Sequence, residues 1–168
     1  TTSRSDRRPP NRAIAGMARL PRLVVPNHLH HLIARGNNEQ PVFIDDADYQ
    51  QFLLWLREAA RRWRVAIHAY ALLPNRVHLL ATPSDADGLG KMMQAVGRLY
   101  VPYFNSRHRR TGSLWEGRFR ATVVDAEQFF LGCAHLVEFQ PVRAGLAADP
   151  AGRYPSAADF SAALKGCG

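Results

Sequence analysis

Cysteine is scarce. The 168 residues hold two, Cys133 and Cys167, far apart and at no metal-ligand spacing. That count excludes a disulfide-stapled scaffold and a multi-thiolate metal site, and a reducing cytosol is the expected setting. No apolar run approaches the ~20 residues that a membrane-spanning helix needs, and no signal peptide is visible. Acidic residues are also few, 14 against 22 Lys and Arg, giving a formal charge of +8 and a pI of about 10.3. An excess of that size favours a polyanionic partner, nucleic acid or an acidic surface, over a merely soluble basic protein.

The apolar residues are plentiful, at 46% with aromatics throughout, enough for one globular domain with a core of its own. Residues 1–16, TTSRSDRRPPNRAIAG, are polar and carry +3 of the +8 through Arg4, Arg7, Arg8 and Arg12 against Asp6. They are expected to form a disordered basic arm, either an upstream extension or a cloning remnant, because Met17 opens a natural-looking start. The domain is expected over residues 17–165.

Periodicity sets the elements. Leu29 to Arg35 is expected as a strand closed by Gly36-Asn37-Asn38. Tyr49, Phe52, Leu53, Leu56, Ala59, Ala60 and Trp63 fall on one helical face, behind an acidic start at Asp45 and Asp48. Val65–Leu73 and Val77–Thr82 are strands joined by the Pro74-Asn75 turn, hence an antiparallel hairpin. A second helix begins near Gly88 and contains Pro102, which should kink it. Phe119–Val124 forms a fourth strand, and Asp125 with Gln128 caps a third helix over Ala126–Phe139. The tail YPSAADFSAAL is a candidate short helix. The order β-α-β-β-α-β-α predicts an α+β ferredoxin-like sandwich, a four-stranded sheet containing antiparallel pairs with helices on one face.

The chemistry centres on LLPNRVHLLATP, residues 72–83. Strand side chains alternate faces, so His78, Leu80 and Thr82 share one and residue 76 joins them. Two histidines spaced i, i+2 on a strand can grip a divalent ion, with positions left for water and a phosphate oxygen. Position 76, however, is an arginine, which has no lone pair to offer and repels a cation. A lone strand histidine is ordinarily structural or a simple hydrogen-bonding group.

Five phrases in order, MARLPR, RGNNEQPVFIDDADYQQFL, IHAYALLPNRVHLLATP, YFNSRHRRTGSLWEGRFRATVVD and VEFQPVRAGL, resemble the REP-associated tyrosine transposases of the single-tyrosine HUH transposase superfamily. The resemblance covers residues 17–165. It implies a protein that binds hairpin-forming single-stranded DNA. It also implies a pair of histidines flanking a bulky apolar residue which, with another polar ligand, holds Mg²⁺ or Mn²⁺. A tyrosine on the third helix attacks the DNA, and the phosphotyrosine link conserves the energy of the broken bond. This chain departs from that pattern twice. Pro74-Asn75-Arg76-Val77-His78 has arginine at the first histidine position, and Leu136-Val137-Glu138-Phe139-Gln140-Pro141 has Leu136 at the nucleophile position.

His78 and Gln140 are therefore the surviving candidate metal ligands, with the ion weakly held or absent and no catalytic residue assigned. His135 adjoins Leu136 but points roughly 100° away around the helix. His28 and His30 are weighed as replacement ligands, and Tyr100 and Tyr103 as replacement nucleophiles; structural roles are favoured for all four. Arg76 is a candidate to hold a DNA phosphate directly. Arg107, Arg109, Arg110, Arg118 and Arg120 surround Trp115 and Phe119, suiting a phosphate backbone and a stacked base, although Trp115 could equally anchor the core. Arg19 and Arg22 are further candidate DNA contacts. The expected function is recognition of hairpin or single-stranded DNA, with strand cleavage lost or very weak. The alternatives are an active metal-dependent transposase with rearranged ligands, or a ferredoxin-like module binding RNA or protein. A monomer and a homodimer are both compatible with the sequence.

Overall fold

The computed structural model describes residues 23–146. The predicted arm, Arg19, Arg22 and the tail after residue 146 lie outside them. Four strands, β1 (Leu29–Arg35), β2 (Val65–Leu73), β3 (Arg76–Pro83) and β4 (Arg120–Val124), form one sheet in the order β2-β3-β1-β4. Every neighbouring pair is antiparallel. Helices α1 (Asp46–Arg62), α2 (Gly88–Arg107) and α3 (Ala126–Glu138) follow the predicted order, and a helical turn, α4 (Gln140–Arg143), is added.

Alternation decides what each face buries. Leu32 and Ala34 of β1, Ile67, Tyr70 and Leu72 of β2, and Val77, Leu79 and Ala81 of β3 point to one side. There the stripes of α1 (Phe52, Leu53, Leu56, Ala59, Ala60) and α2 (Leu89, Met92, Val96, Tyr100, Phe104) close over them. The opposite parity, Leu29, Ala69, Ala71, Leu73 and Leu80, packs beneath α3 through Val137, Phe130, Cys133 and Ala134. Helices on a single face describes α1 and α2; α3 covers the other side, and a hydrophobic stripe alone does not say which face it will find. α3 reaches β2 and β3 and makes few contacts with β1. The β1–β4 half of that face is thus left open, while Phe129, Leu131 and Leu136 of the helix remain exposed.

α1 starts where predicted: the Asp45 side chain accepts from the Asp48 backbone N–H at 3.3 Å. α2 runs through Pro102 as one helix, with that proline exposed. At its end Arg107 donates to Asp45 at 2.7 Å and to Asp48 at 3.1 Å. His108 also reaches Asp48, at 2.9 Å. Asp48 is fully buried, and these contacts plus the Ile44 N–H at 2.9 Å satisfy its carboxylate. The cluster ties the start of α1 to the end of α2.

Candidate nucleic-acid interface

Three sequence motifs meet at the open end of β1. Gly36 donates its N–H to the Asn75 carbonyl at 2.8 Å, while Val42 and Phe43 both donate to the Pro74 carbonyl, at 2.6 and 3.1 Å. The Pro74-Asn75 turn is thereby fixed by the segment that follows RGNN. Only glycine fits at position 36, because a Cβ there would lie 2.1 Å from the Gln40 carbonyl oxygen. On the other side, Asn37 N–H donates to Leu114 O and Glu116 N–H to Arg35 O, both at 2.9 Å, and Gly36 forms a bridge with Trp115. The basic segment is in this way stitched to the end of β1.

The consequence is a cross-strand pair of like charge. Arg35 of β1 stands directly opposite Arg76 of β3. Two positions back, Ile33 lies between His78 on β3 and Arg120 on β4. His31, Ile33 and Arg35 share their face with Arg76, His78, Arg120 and Thr122, since directly paired residues point the same way. Among the described residues neither Arg35 nor Arg76 is in an ion pair. Arg76 Nε donates to the Asn75 side-chain carbonyl at 3.2 Å, and Arg35 Nε is buried without a partner.

His78 does have an imidazole neighbour. It is His31, whose Nε2 lies 3.2 Å from His78 Nδ1, with the rings stacked at 5.4 Å. His78 Nε2 is buried and unpartnered. Burial first, then the charges of His31, Arg76 and Arg35, pushes the His78 pKa down to about 4. Burial also lowers that of His31. Both rings are accordingly neutral at pH 7, and one shared proton links them.

The replacements weighed from the sequence fall elsewhere. His30 points to the opposite face, fully buried. Its Nε2 accepts from the Val25 N–H at 3.2 Å, which leaves Nδ1 as the donor to the His28 carbonyl at 2.7 Å. It pins the lead-in segment to β1. His28 is exposed and bonded to Pro26 O. Tyr100 is a core residue whose hydroxyl donates to Val42 O at 2.6 Å. Tyr103 accepts from Arg107 at 3.1 Å. All four described tyrosines, at 49, 70, 100 and 103, pack on the α1/α2 side, away from His78.

The divalent ion that the resemblance implies can be tested against this donor set. The His31–His78 pair offers two imidazoles. Gln140 turns its amide back to the Leu136 carbonyl at 3.2 Å, and Leu136 itself is exposed on α3. No group of three His, Cys, Asp or Glu side chains suited to a metal occurs among the described residues. The two guanidiniums that disfavour a proton on His78 disfavour a dication for the same electrostatic reason. These residues do not fit the ion.

The expected DNA contacts divide into two groups. Arg118 and Arg120 are exposed beside Arg35 and line a cleft of about 610 Å³ with Ile33, Gly117 and Phe119. Arg35 and Arg118 also line an adjoining groove of about 600 Å³, formed with Trp115, Phe119 and the α2 residues Lys91, Met93 and Gln94. Trp115 is both half-buried against the core and part of this groove wall. Arg107, by contrast, is committed to Asp45 and Asp48. Arg110 donates to the Gln40 side chain at 2.7 Å and lies over the Phe104 ring, while Arg109 is exposed. None of those three lines either cleft. His31 and Arg35 were not singled out in the sequence. Their signal was present: positions 31 and 35 share the parity that faces residue 78, whereas 28 and 30 have the other.

The profile of the IS200-like transposase family matches residues 24–130. The chain belongs to that family. Among solved structures it is similar to a REP-associated tyrosine transposase bound to a REP hairpin. The TM-score is 0.65 at 15% identity, covering 83% of this chain and 81% of that one. That likeness shows a shared fold. A second, a protein assigned as a transposase from Deinococcus radiodurans R1, gives 0.49 at 23% identity, covering 73% and 98%. No curated protein matches the chain.

Proposed function

We propose that this IS200-like transposase-family protein is a DNA-binding module that recognises hairpin-bearing single-stranded DNA and has little or no strand-cleaving activity. The observation that carries the reading is the open β1–β4 half of the α3 face. Four arginines, 35, 76, 118 and 120, gather there, three of them around a cleft walled by Phe119, and Arg35 and Arg118 also border the Trp115 groove on the α2 side. Cations track phosphates, and an aromatic edge takes an unpaired base. The hairpin-bound neighbour of the same fold supports DNA as the partner. Leu136 at the nucleophile position, Arg76 at the first histidine position and the packing of the described tyrosines on the far side of the sheet support loss of cleavage. The bacterial cytosol or nucleoid suits such a ligand, and no helix among the described residues is long and apolar enough to cross a membrane.

One observation favours a second reading, an active transposase with rearranged ligands: His31 supplies the second imidazole that His78 lacks on its own strand. The test is incubation with labelled hairpin-tailed single-stranded DNA and Mn²⁺, followed by native and denaturing gels. A native shift without a covalent band supports the binding module. A covalent protein–DNA band would establish the active enzyme instead. Tighter binding to the same hairpin in RNA would point to an RNA module reading 2′-hydroxyls.

A further inference from the structure

We infer that the Arg35–Arg76 pair, on the sheet face it shares with His78, is a metal-free seat for one DNA phosphodiester. Four observations converge on it. Arg35 and Arg76 are directly opposed across β1 and β3, an arrangement that costs energy in the unliganded sheet because the charges repel. No described carboxylate relieves the repulsion: Glu116, which lines both clefts, makes no ion pair with either arginine among the described residues. Arg35 Nε is a buried donor with nothing to donate to. The backbone also holds the two residues in fixed register, since the Gly36–Asn75 and Glu116–Arg35 hydrogen bonds lock both strand ends. An oxyanion placed between them removes the repulsion and offers acceptors to both forks.

The histidine pair is compatible with the same occupant. If His31 Nε2–H donates to His78 Nδ1, then His78 Nε2 carries the hydrogen and is a further buried donor without a partner. A metal would require the opposite tautomer, with a lone pair at Nε2. The local charge therefore favours an anion over a cation beside these residues. Arg118 and Arg120, on the neighbouring strand and its lead-in, are placed to continue the phosphate track into the adjoining cleft.

The proposal rests on the DNA-binding reading for its physiological ligand, and its test separates the two. Binding of hairpin-tailed single-stranded DNA is measured by fluorescence anisotropy over a salt series, once with EDTA and once with Mn²⁺. Equal affinity in both is expected. Arg35→Gln and Arg76→Gln should each weaken binding about ten-fold and lower the salt slope by about 0.7, with thermal unfolding at or above the parent's because the repulsion is relieved. Loss of binding in EDTA would overturn the seat, as would Gln variants that bind like the parent. In parallel, inorganic phosphate is titrated into the unmodified protein while the arginine Nε–H resonances are followed by NMR. A shift of the Arg35 Nε–H signal with phosphate is expected; an unmoved signal at saturating phosphate would also overturn the proposal. If phosphate moves that signal but no DNA binds, the seat stands and the DNA-binding reading fails.

Discussion

The two faces of the sheet follow different rules. On the α1/α2 face every strand position is apolar or satisfied, and Tyr100 to Val42 and Asp48 to Arg107 and His108 close into short networks, while the helix-borne Asn105 Oδ1 and, beyond the end of α1, Trp63 Nε1 are buried without a partner. On the other face α3 covers only part of the sheet. The open remainder carries opposed arginines, stacked neutral histidines and buried nitrogens without partners. One face supplies the stability that lets the other keep groups that do not satisfy one another, the usual division between a scaffold and a site.

The contrast should be sharpest in a core truncation. Phe52, fully buried among Phe43, Tyr100 and Trp115, should cost about 3–5 kcal/mol as Phe52→Ala, read from urea unfolding. Asp48→Asn comes next. It removes the charge that Arg107 and His108 share, and an expected loss of about 1–3 kcal/mol allows for the partial exposure of Arg107. Both changes should leave the DNA affinity of the folded fraction nearly unaltered. A large affinity loss there would erase the distinction between the faces.

Acid should act on both faces. His78 titrates at about 4 in the fold, and His30, His31 and His68 are lowered by burial. The unfolded chain, with histidines near 6.5, then binds more protons than the native one in the interval between. Stability should fall as pH drops from about 6.5 toward 4. Urea midpoints at pH 7 and pH 5 measure this, and equal midpoints would contradict the burial of these rings.

Smaller effects test the open face itself. Arg76→His would place a third imidazole on the face of His31 and His78 and remove one guanidinium, so calorimetry should detect a gain in Mn²⁺ binding. Without that gain, the electrostatic argument against an ion beside His78 loses its support. Restored cleavage should require Leu136→Tyr as well. The smallest expected contrast is between two arginines that look alike in the sequence. Arg120→Gln should weaken DNA binding a few-fold and flatten its salt dependence. Arg107→Gln should instead lower stability, because Arg107 is spent on Asp45 and Asp48.

That last pair shows where sequence reading stops. β1 and β2 were legible to the residue, because apolar alternation ends sharply at Gly36 and at Pro74. The capping Asp45 and Asp125 placed two helix starts equally well. The side of the sheet that α3 would choose was not legible, since its stripe fits either face. In the site, Arg76 and His78 were visible because they share one strand. His31 and Arg35 become their neighbours only through the β1–β3 register, contacts between positions 47 and 41 residues apart along the chain. His28 and His30, alike in local sequence, have the other parity and take the structural roles expected of them. Arg107 was assigned to DNA because its acidic partners lie 62 and 59 residues upstream.

Gly36 makes no contact with any ligand proposed here, yet it holds the two strand ends in register. A single added methyl group would collide with the Gln40 carbonyl and pry the Pro74-Asn75 turn from the end of β1. In genetic terms, alleles at this codon should mimic the simultaneous loss of Arg35 and Arg76. A screen for binding-deficient clones would recover them together, and melting temperature would tell them apart, since only the glycine alleles would also be fragile.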